Sequence, residues 1–287
     1  MNRHLTMALG ALSLALGGVA VSAPQALAAG STLKLDHLAA RVIIIPEARD
    51  TIHAEVRNGG KGGLGHPQLI VNGPDLTISG DLPTSKLHDC RVHGFGHGVK
   101  FGFFNHVSED DLPVITIHTP MDVQVTADGA IEGEIGASHA VNLTQKSCGA
   151  WKVADVADHL EYELEGLSDL TAGSARSTTV RLEGLGDVHM RSTGSLDASL
   201  QGLGGLTIDQ VNGPVKASVQ GMGDLKIKGG HATEFQASLE GMGSIRFDGV
   251  ADTVDASAEG MGDIKIAKAT GQVSKSQSGF ASVTVGK

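Results

Sequence analysis

The most regular feature of the chain is an apolar pattern that returns about every 19 residues. Each copy can be anchored on the first glycine of a Gly-x-Gly: Gly184, Gly202, Gly221, Gly241 and Gly260, with Gly166 and Gly279 as looser copies at either end. Two residues before the anchor stand Leu164, Leu182, Leu200, Val219, Leu239 and Ala258; four before it stand Val180, Ala198, Ala217, Ala237 and Ala256. Four after it stand Leu170, Val188, Leu206, Leu225, Ile245, Ile264 and Val283, and six after it Met190, Ile208, Ile227, Phe247, Ile266 and Val285. All these offsets are even and the residues between them are mostly polar. A period of two is the signature of strands. Because the apolar set keeps its place from copy to copy, each copy makes the same turn of a coil. The pattern predicts an all-β, parallel β-solenoid with rungs of about 19 residues.

The Gly-x-Gly falls between the two strands of a rung. Glycine reaches backbone conformations closed to residues with a Cβ. Gly184, Gly186, Gly202, Gly204, Gly221, Gly223, Gly241, Gly243, Gly260 and Gly262 are therefore expected to form tight corners. The middle residue is apolar in each copy (Leu185, Leu203, Met222, Met242, Met261, Phe280), which we expect to be a stacked column filling the core at the corner. A phosphate-cradling loop would lead into a helix, but a β run such as "LKI" follows. A calcium-binding coil has a nine-residue period; here Asp187, Asp224 and Asp263 follow the second glycine directly, and Gly205 and Ser244 interrupt their column.

Residues 30–160 keep the strand grammar without the clean repeat, in runs such as "LKLDHLAARVIIIP", "QLIVNGPDLTISGD" and "DVQVTADGAIEGEIG". They read as irregular first rungs or a small capping sheet, since an open solenoid end presents unpaired strand edges. Residues 161–287 form the regular repeats. The segment nearest to a helix, "WKVADVADHLEYELEG", fits the repeat register better.

One stretch departs from this grammar: "HDCRVHGFGHGVKFGFFNH", residues 88–106, which reads as an insertion between strands. His88, His93, His97 and His106 are candidate metal ligands, although their spacing matches no structural-zinc pattern. Phe95, Phe101, Phe103 and Phe104 offer a binding patch for a partner; alternatively, the segment is a hairpin packing its Phe residues on the solenoid end with His exposed. Cys90 and Cys148 are the two cysteines, either bridged or buried as thiols.

The first 29 residues carry Arg3, an apolar run and a small-residue "ALA" site, the form of a secretory signal peptide. No second long apolar run follows, so no transmembrane segment is expected in the mature chain. With 22 basic and 32 acidic residues the net charge is −10, which argues against nucleic acid. Outward columns also repeat. Ser199, Ser218, Ser238, Ser257 and Ser276 form a hydroxyl ladder, and Glu183, Gln201, Gln220, Glu240 and Glu259 stack beside it. Lys226, Arg246 and Lys265 form a basic column, with Asp224 and Asp263 placed to offset it.

The order of these features is familiar. A leader is followed by an early "VIIIP" strand, "LTISG", "ITIHTPMDVQVTADGAIEG" and rungs such as "ASLEGMGSIRF". Over residues 31–287 the chain resembles the GIN-domain family of exported bacterial proteins, which are described as auto-transporter adhesin head domains. The resemblance implies a right-handed β-helix-like fold and an adhesin-like role; it brings no active-site residues and no cofactor. The chain departs from that label where a membrane barrel would follow, since "FASVTVGK" is another rung. We expect a periplasmic or secreted, non-catalytic binding module whose partner is an envelope protein or a glycan. Two alternatives are carried: a structural protein that forms homo-oligomers through its solenoid ends, and a polysaccharide-active β-helix enzyme. The latter needs paired carboxylates and aromatic platforms.

Overall fold

The computed structural model describes residues 31–59, 64, 66–83, 85, 90–92, 98–101 and 105–287. The signal peptide expected over residues 1–29 lies outside the described residues, as do His88, His93, His97, Phe95, Phe103 and Phe104.

Alternating apolar positions build a β-solenoid of about nine parallel coils, each of about 19 residues. A rung gives one strand to each of two long sheets, and the Gly-x-Gly corner lies between them. In the first sheet Val180, Ala198, Ala217, Ala237 and Ala256 stack in register. In the second, Leu170, Val188, Leu206, Leu225, Ile245, Ile264 and Val283 do the same. Every one of these side chains is buried. Full burial of a Val, Leu or Ile side chain contributes about 1.5–3 kcal/mol, but only a stack of rungs can supply it, since one rung has nothing to cover its apolar side. A short third side closes the coil, for example where Val211 pairs with Gly230.

The corners stack glycine on glycine. Gly241 has φ 130°, a conformation L side chains rarely adopt, and a Cβ on Gly243 would lie 2.0 Å from the carbonyl oxygen of Gly223 one rung below. The close approach lets the ladder run unbroken round the bend: the Met242 N–H donates to Gly221 O at 2.8 Å and the Met261 N–H to Gly241 O at 2.9 Å.

Large rings sit inside the coil. Phe235 and Phe247 stack with centroids 5.0 Å apart. Trp151 lies against Gly133, where a Cβ would come within 2.1 Å of the indole. Its Nε1–H donates to Gln145 Oε1 at 2.8 Å, and the Gln145 amide donates to Gly129 O and Cys148 O at 3.3 and 3.2 Å. A buried amide is thereby satisfied, as burial demands.

The first rungs are irregular. Strand β1 (Thr32–Pro46) serves both sheets: residues 32–36 and 38–44 pair with successive parts of one long strand, Asp122–Ile135, across a bulge between Asp36 and Leu38. Beyond β1, the first sheet continues to a parallel strand, Asp75–Ser79, and then an antiparallel one, Gln68–Asn72. The second continues to Val114–Thr119 and then the antiparallel His53–Arg57. These two reversals cap the end. At the other end, the last strand of the first sheet (Val273–Gly279) puts Lys275 below Ala256 and Gln277 below Ala258. Gln277 Oε1 accepts a bond from the Val283 N–H at 3.1 Å. Two inward columns of the first sheet thus end in polar groups, whereas those of the second end in Val283 and Val285.

Cys90–Val92, Val99–Phe101 and Asn105–Val107 form a small antiparallel sheet. Cys90 is bonded to Cys148, with Cα atoms 6.0 Å apart. Val92, Val99, Phe101, Val107 and Leu112 share a second core with Ala39, Ala130, Cys148 and Ala150. The latter four occupy outward positions of the second sheet. The insertion therefore docks on the flank of the early rungs, not on the solenoid end. It covers the outward face of β1 at Ala39; farther along, the outward Ile43 and Ile45 stay partly exposed.

Gly243→Ala is expected to destabilise the protein by about 2 kcal/mol or more, because backbone must shift, lowering the melting temperature by at least about 4 °C. In Gly205→Ala the added Cβ meets the movable Asp187 carboxylate 2.9 Å away and Asp224 O at an ordinary 3.7 Å. Thermal unfolding of the two variants should separate corner from surface glycine, with Gly205→Ala within about 1 °C of the parent.

Candidate functional site

The corner column is where expectation and structure part. Leu185, Leu203, Met222, Met242, Met261 and Phe280 do not fill the core; they are 45–87% exposed. The reason is parity. Inward residues occupy even offsets from the anchor glycine, and the middle residue sits at offset one. With glycines on both sides flush against the rung below, its side chain projects outward. The six residues form a ridge with a step of about 4.8 Å, hence about 24 Å long. A contiguous exposed apolar strip rimmed by polar residues is the kind of surface that marks an interaction site.

The ridge has acidic borders. Glu183, Glu240 and Glu259 precede the first glycine, with Glu240 stacked directly on Glu259. Asp187, Asp224 and Asp263 follow the second. Serines interleave this second border: Ser244 Oγ donates to Asp224 at 2.6 Å, and Ser282 Oγ donates to Asp263. Among the described residues no salt bridge of 4.0 Å or less joins any of these six carboxylates to a cation. From Asp224 to Ser282 the alternation of Asp and Ser spaces the charges two rungs apart; Gly205 separates Asp187 from Asp224, and the Asp187 N–H donates to Asp169 on the rung before it.

Other surfaces are self-neutralised. Lys226, Arg246 and Lys265 stack in register. Their counter-charge is Asp248, 2.8 Å from Arg246 Nε, and not Asp224 or Asp263 as the sequence spacing suggests. The Arg246 guanidinium, helped by Lys226 and Lys265, holds the Asp248 carboxyl below its ordinary value. On the short third side Asp209 lies 2.8 Å from Lys228 and 3.1 Å from His189, and Asp252 lies 2.8 Å from His231. Asp155 takes the Ser174 backbone N–H at 2.7 Å and pairs with Arg191, and Asp158 pairs with Arg176. In each case the hydrogen bonds lower the carboxyl's proton affinity.

A groove of about 910 Å³ crosses the outer face of the early rungs, lined by Ile43, Ile45, Glu134, Lys152, Arg191 and Asp209 among others. Trp151 and Tyr162 are buried inside the coil, so neither offers it a platform. Glu134 and Asp209 are four rungs apart, about 19 Å. A glycosidase pair needs about 5–9.5 Å. Of the expected insertion residues, Phe101 is buried and His106 is exposed, directly across from Lys100 on the neighbouring strand.

Among the described residues these features define a β-solenoid with an apolar corner ridge whose bordering carboxylates have no cation within 4.0 Å. No helix among the described residues is long and apolar enough to cross a membrane. No family model and no curated protein matches the chain. Among solved structures it is similar to a Bacteroides fragilis protein described as a "putative adhesin", with 16% identity over 88% of this chain and 90% of that one and a TM-score of 0.38. It is also similar to a "putative cell adhesion protein" of Clostridium sporogenes, at 8% identity over 87% and 93%, with a TM-score of 0.24. At these values neither likeness carries an argument about what this chain binds.

The depressed carboxyls fix a pH dependence. Hydrogen bonds hold Asp155, Asp209 and Asp252 below the ordinary carboxyl range, so their stabilisation is complete above that range and is lost as pH falls through the lowered folded-state values. Melting temperature is expected to be flat from pH 7 to about pH 5 and to fall below about pH 4. Added salt should shrink the drop, because these pairs are exposed.

Proposed function

We propose that the protein is an exported, non-catalytic binding module of the cell envelope that docks a protein partner along the ridge from Leu185 to Phe280. The leader-like residues 1–29 direct it to the periplasm or the exterior. The observation that carries the reading is the ridge itself: six successive rungs each expose a large apolar side chain at the same place. Burial of such side chains is what a protein interface gains most from. The partner's chemistry follows from the borders. An apolar cleft edged with Lys or Arg would cover the ridge and meet the Glu and Asp columns on either side. Among the described residues the ridge offers a glycan one aromatic face, Phe280 at its end, and aliphatic side chains along the rest.

The triple variant Met222→Gln/Met242→Gln/Met261→Gln should fold with nearly unchanged stability, because all three side chains are about half exposed or more. Pull-down from an envelope extract of the source organism is expected to recover a partner with the parent chain, and at least tenfold less of it with the triple variant. A variant lacking residues 91–106 should retain it. Equal recovery by the triple variant would refute the ridge, and loss in the deletion alone would move the function to the insertion.

The reading of the chain as a self-stacking protein loses support at the last rung. Lys275 stands where the four preceding rungs place alanine and Gln277 where earlier rungs place Leu, Val or Ala, and inward charge at an edge opposes further pairing. Light scattering of the mature protein at high concentration is expected to give a monomer mass with no growth over time.

A further inference from the structure

The bulge in β1 assembles a set of side chains that the repeat does not explain. Regular alternation would send residue 37 inward after Leu35. The extra residue at the bulge lets Asp36 and His37 both face outward and returns Leu38 to the core. His37 adopts φ 50°, uncommon for a residue with a side chain. Neighbouring rungs are shaped around it. A Cβ on Gly80 would lie 2.4 Å from His37 O, and one on Gly129 would lie 2.3 Å from Leu38 O. Bulges of this kind re-aim a side chain.

Asp128 lies directly opposite Asp36 on the next rung. Two carboxylates in register repel. The ligating atoms of Asp36, His37 and Asp128 all lie within 4.8 Å of one another. Ser147 Oγ fixes Asp128 Oδ1 at 2.5 Å, and His37 Nδ1 is 3.4 Å from Asp36 Oδ1. Lys34 Nζ, 3.3 Å from Asp36 Oδ1, supplies one positive charge from a half-exposed, flexible arm.

We propose that Asp36, His37 and Asp128 bind a transition-metal dication of the zinc class. One imidazole nitrogen and two carboxylate oxygens make a three-ligand set that leaves a fourth position for water. Zinc bonds of about 2.0–2.1 Å bring such ligands to about 3.3 Å apart. All three side chains are partly exposed, so rotation about their side-chain bonds closes the remaining gap, and the ion displaces the Lys34 arm. Calcium, which takes six to eight oxygen ligands, is not suited to this set. The site lies on the early rungs, away from the ridge, and stands or falls independently of the docking proposal.

The test uses the mature chain without a polyhistidine tag, titrated with Zn²⁺ against a chromogenic chelator. The parent is expected to bind zinc, and millimolar Ca²⁺ is expected not to compete. His37→Asn and Asp128→Asn should each weaken the binding on the order of a hundredfold, since even supporting groups around a metal are worth 10–100-fold. Asn tolerates the left-handed conformation at residue 37, and melting curves confirm folding. His139→Asn, which removes an imidazole paired to Asp122 at 2.6 Å on the same part of the coil, should bind as the parent does. The proposal is overturned if the parent binds no zinc at 100 µM (about a hundred times a micromolar Kd). It is equally overturned if His37→Asn and Asp128→Asn bind like the parent, which is what a site in the His-rich insertion would give.

Discussion

Everything in this molecule depends on like residues lying directly above like residues. Parallel in-register pairing sets the rung spacing, and that spacing leaves no room for a side chain where the coil turns most sharply. Glycine over glycine at the corner is the solution: the carbonyl of Gly223 occupies the space a Cβ on Gly243 would need. The backbone ladder then passes round the bend, and the aliphatic columns on both sides stay aligned. The cost is conformational entropy, since glycine loses the most freedom on ordering. It is offset by burial that grows with each rung.

The same constraint makes surfaces as periodic as the core. A solenoid cannot place one exposed leucine at a corner without the neighbouring rungs placing something at the same spot. Here they place Leu, Met and Phe, and the polar residues beside them are mostly acidic. Elsewhere the repetition of like charge is defused locally by an opposite charge, as by Asp248 beside Arg246. The ridge borders have no such partner among the described residues, which is why the docking surface is assigned there.

The stacked columns were legible in the sequence because even offsets survive from copy to copy, and the pairing of Leu225 with Ile245 follows directly from them. The ridge was legible too, but apolar character was read as burial when the odd offset of Met242 already placed it outside. Other features had no local signal. The flank docking of the insertion rests on small outward residues, Ala39, Ala130 and Ala150, far apart in the chain. The bulge at His37 is invisible in "LDHLAA", because it exists only where Gly80 and Gly129 make room for it from other rungs.

The lysine at the end of the alanine column bears on how such a chain can change its length. An ammonium turned toward the interior at Lys275 can reach water only while nothing lies beneath it. Extra coils therefore cannot be appended after it without desolvating a charge, whereas duplicating a middle coil leaves both ends intact. Each such internal duplication would lengthen the exposed corner strip by one spacing, so the reach of the binding edge could evolve separately from the terminal caps.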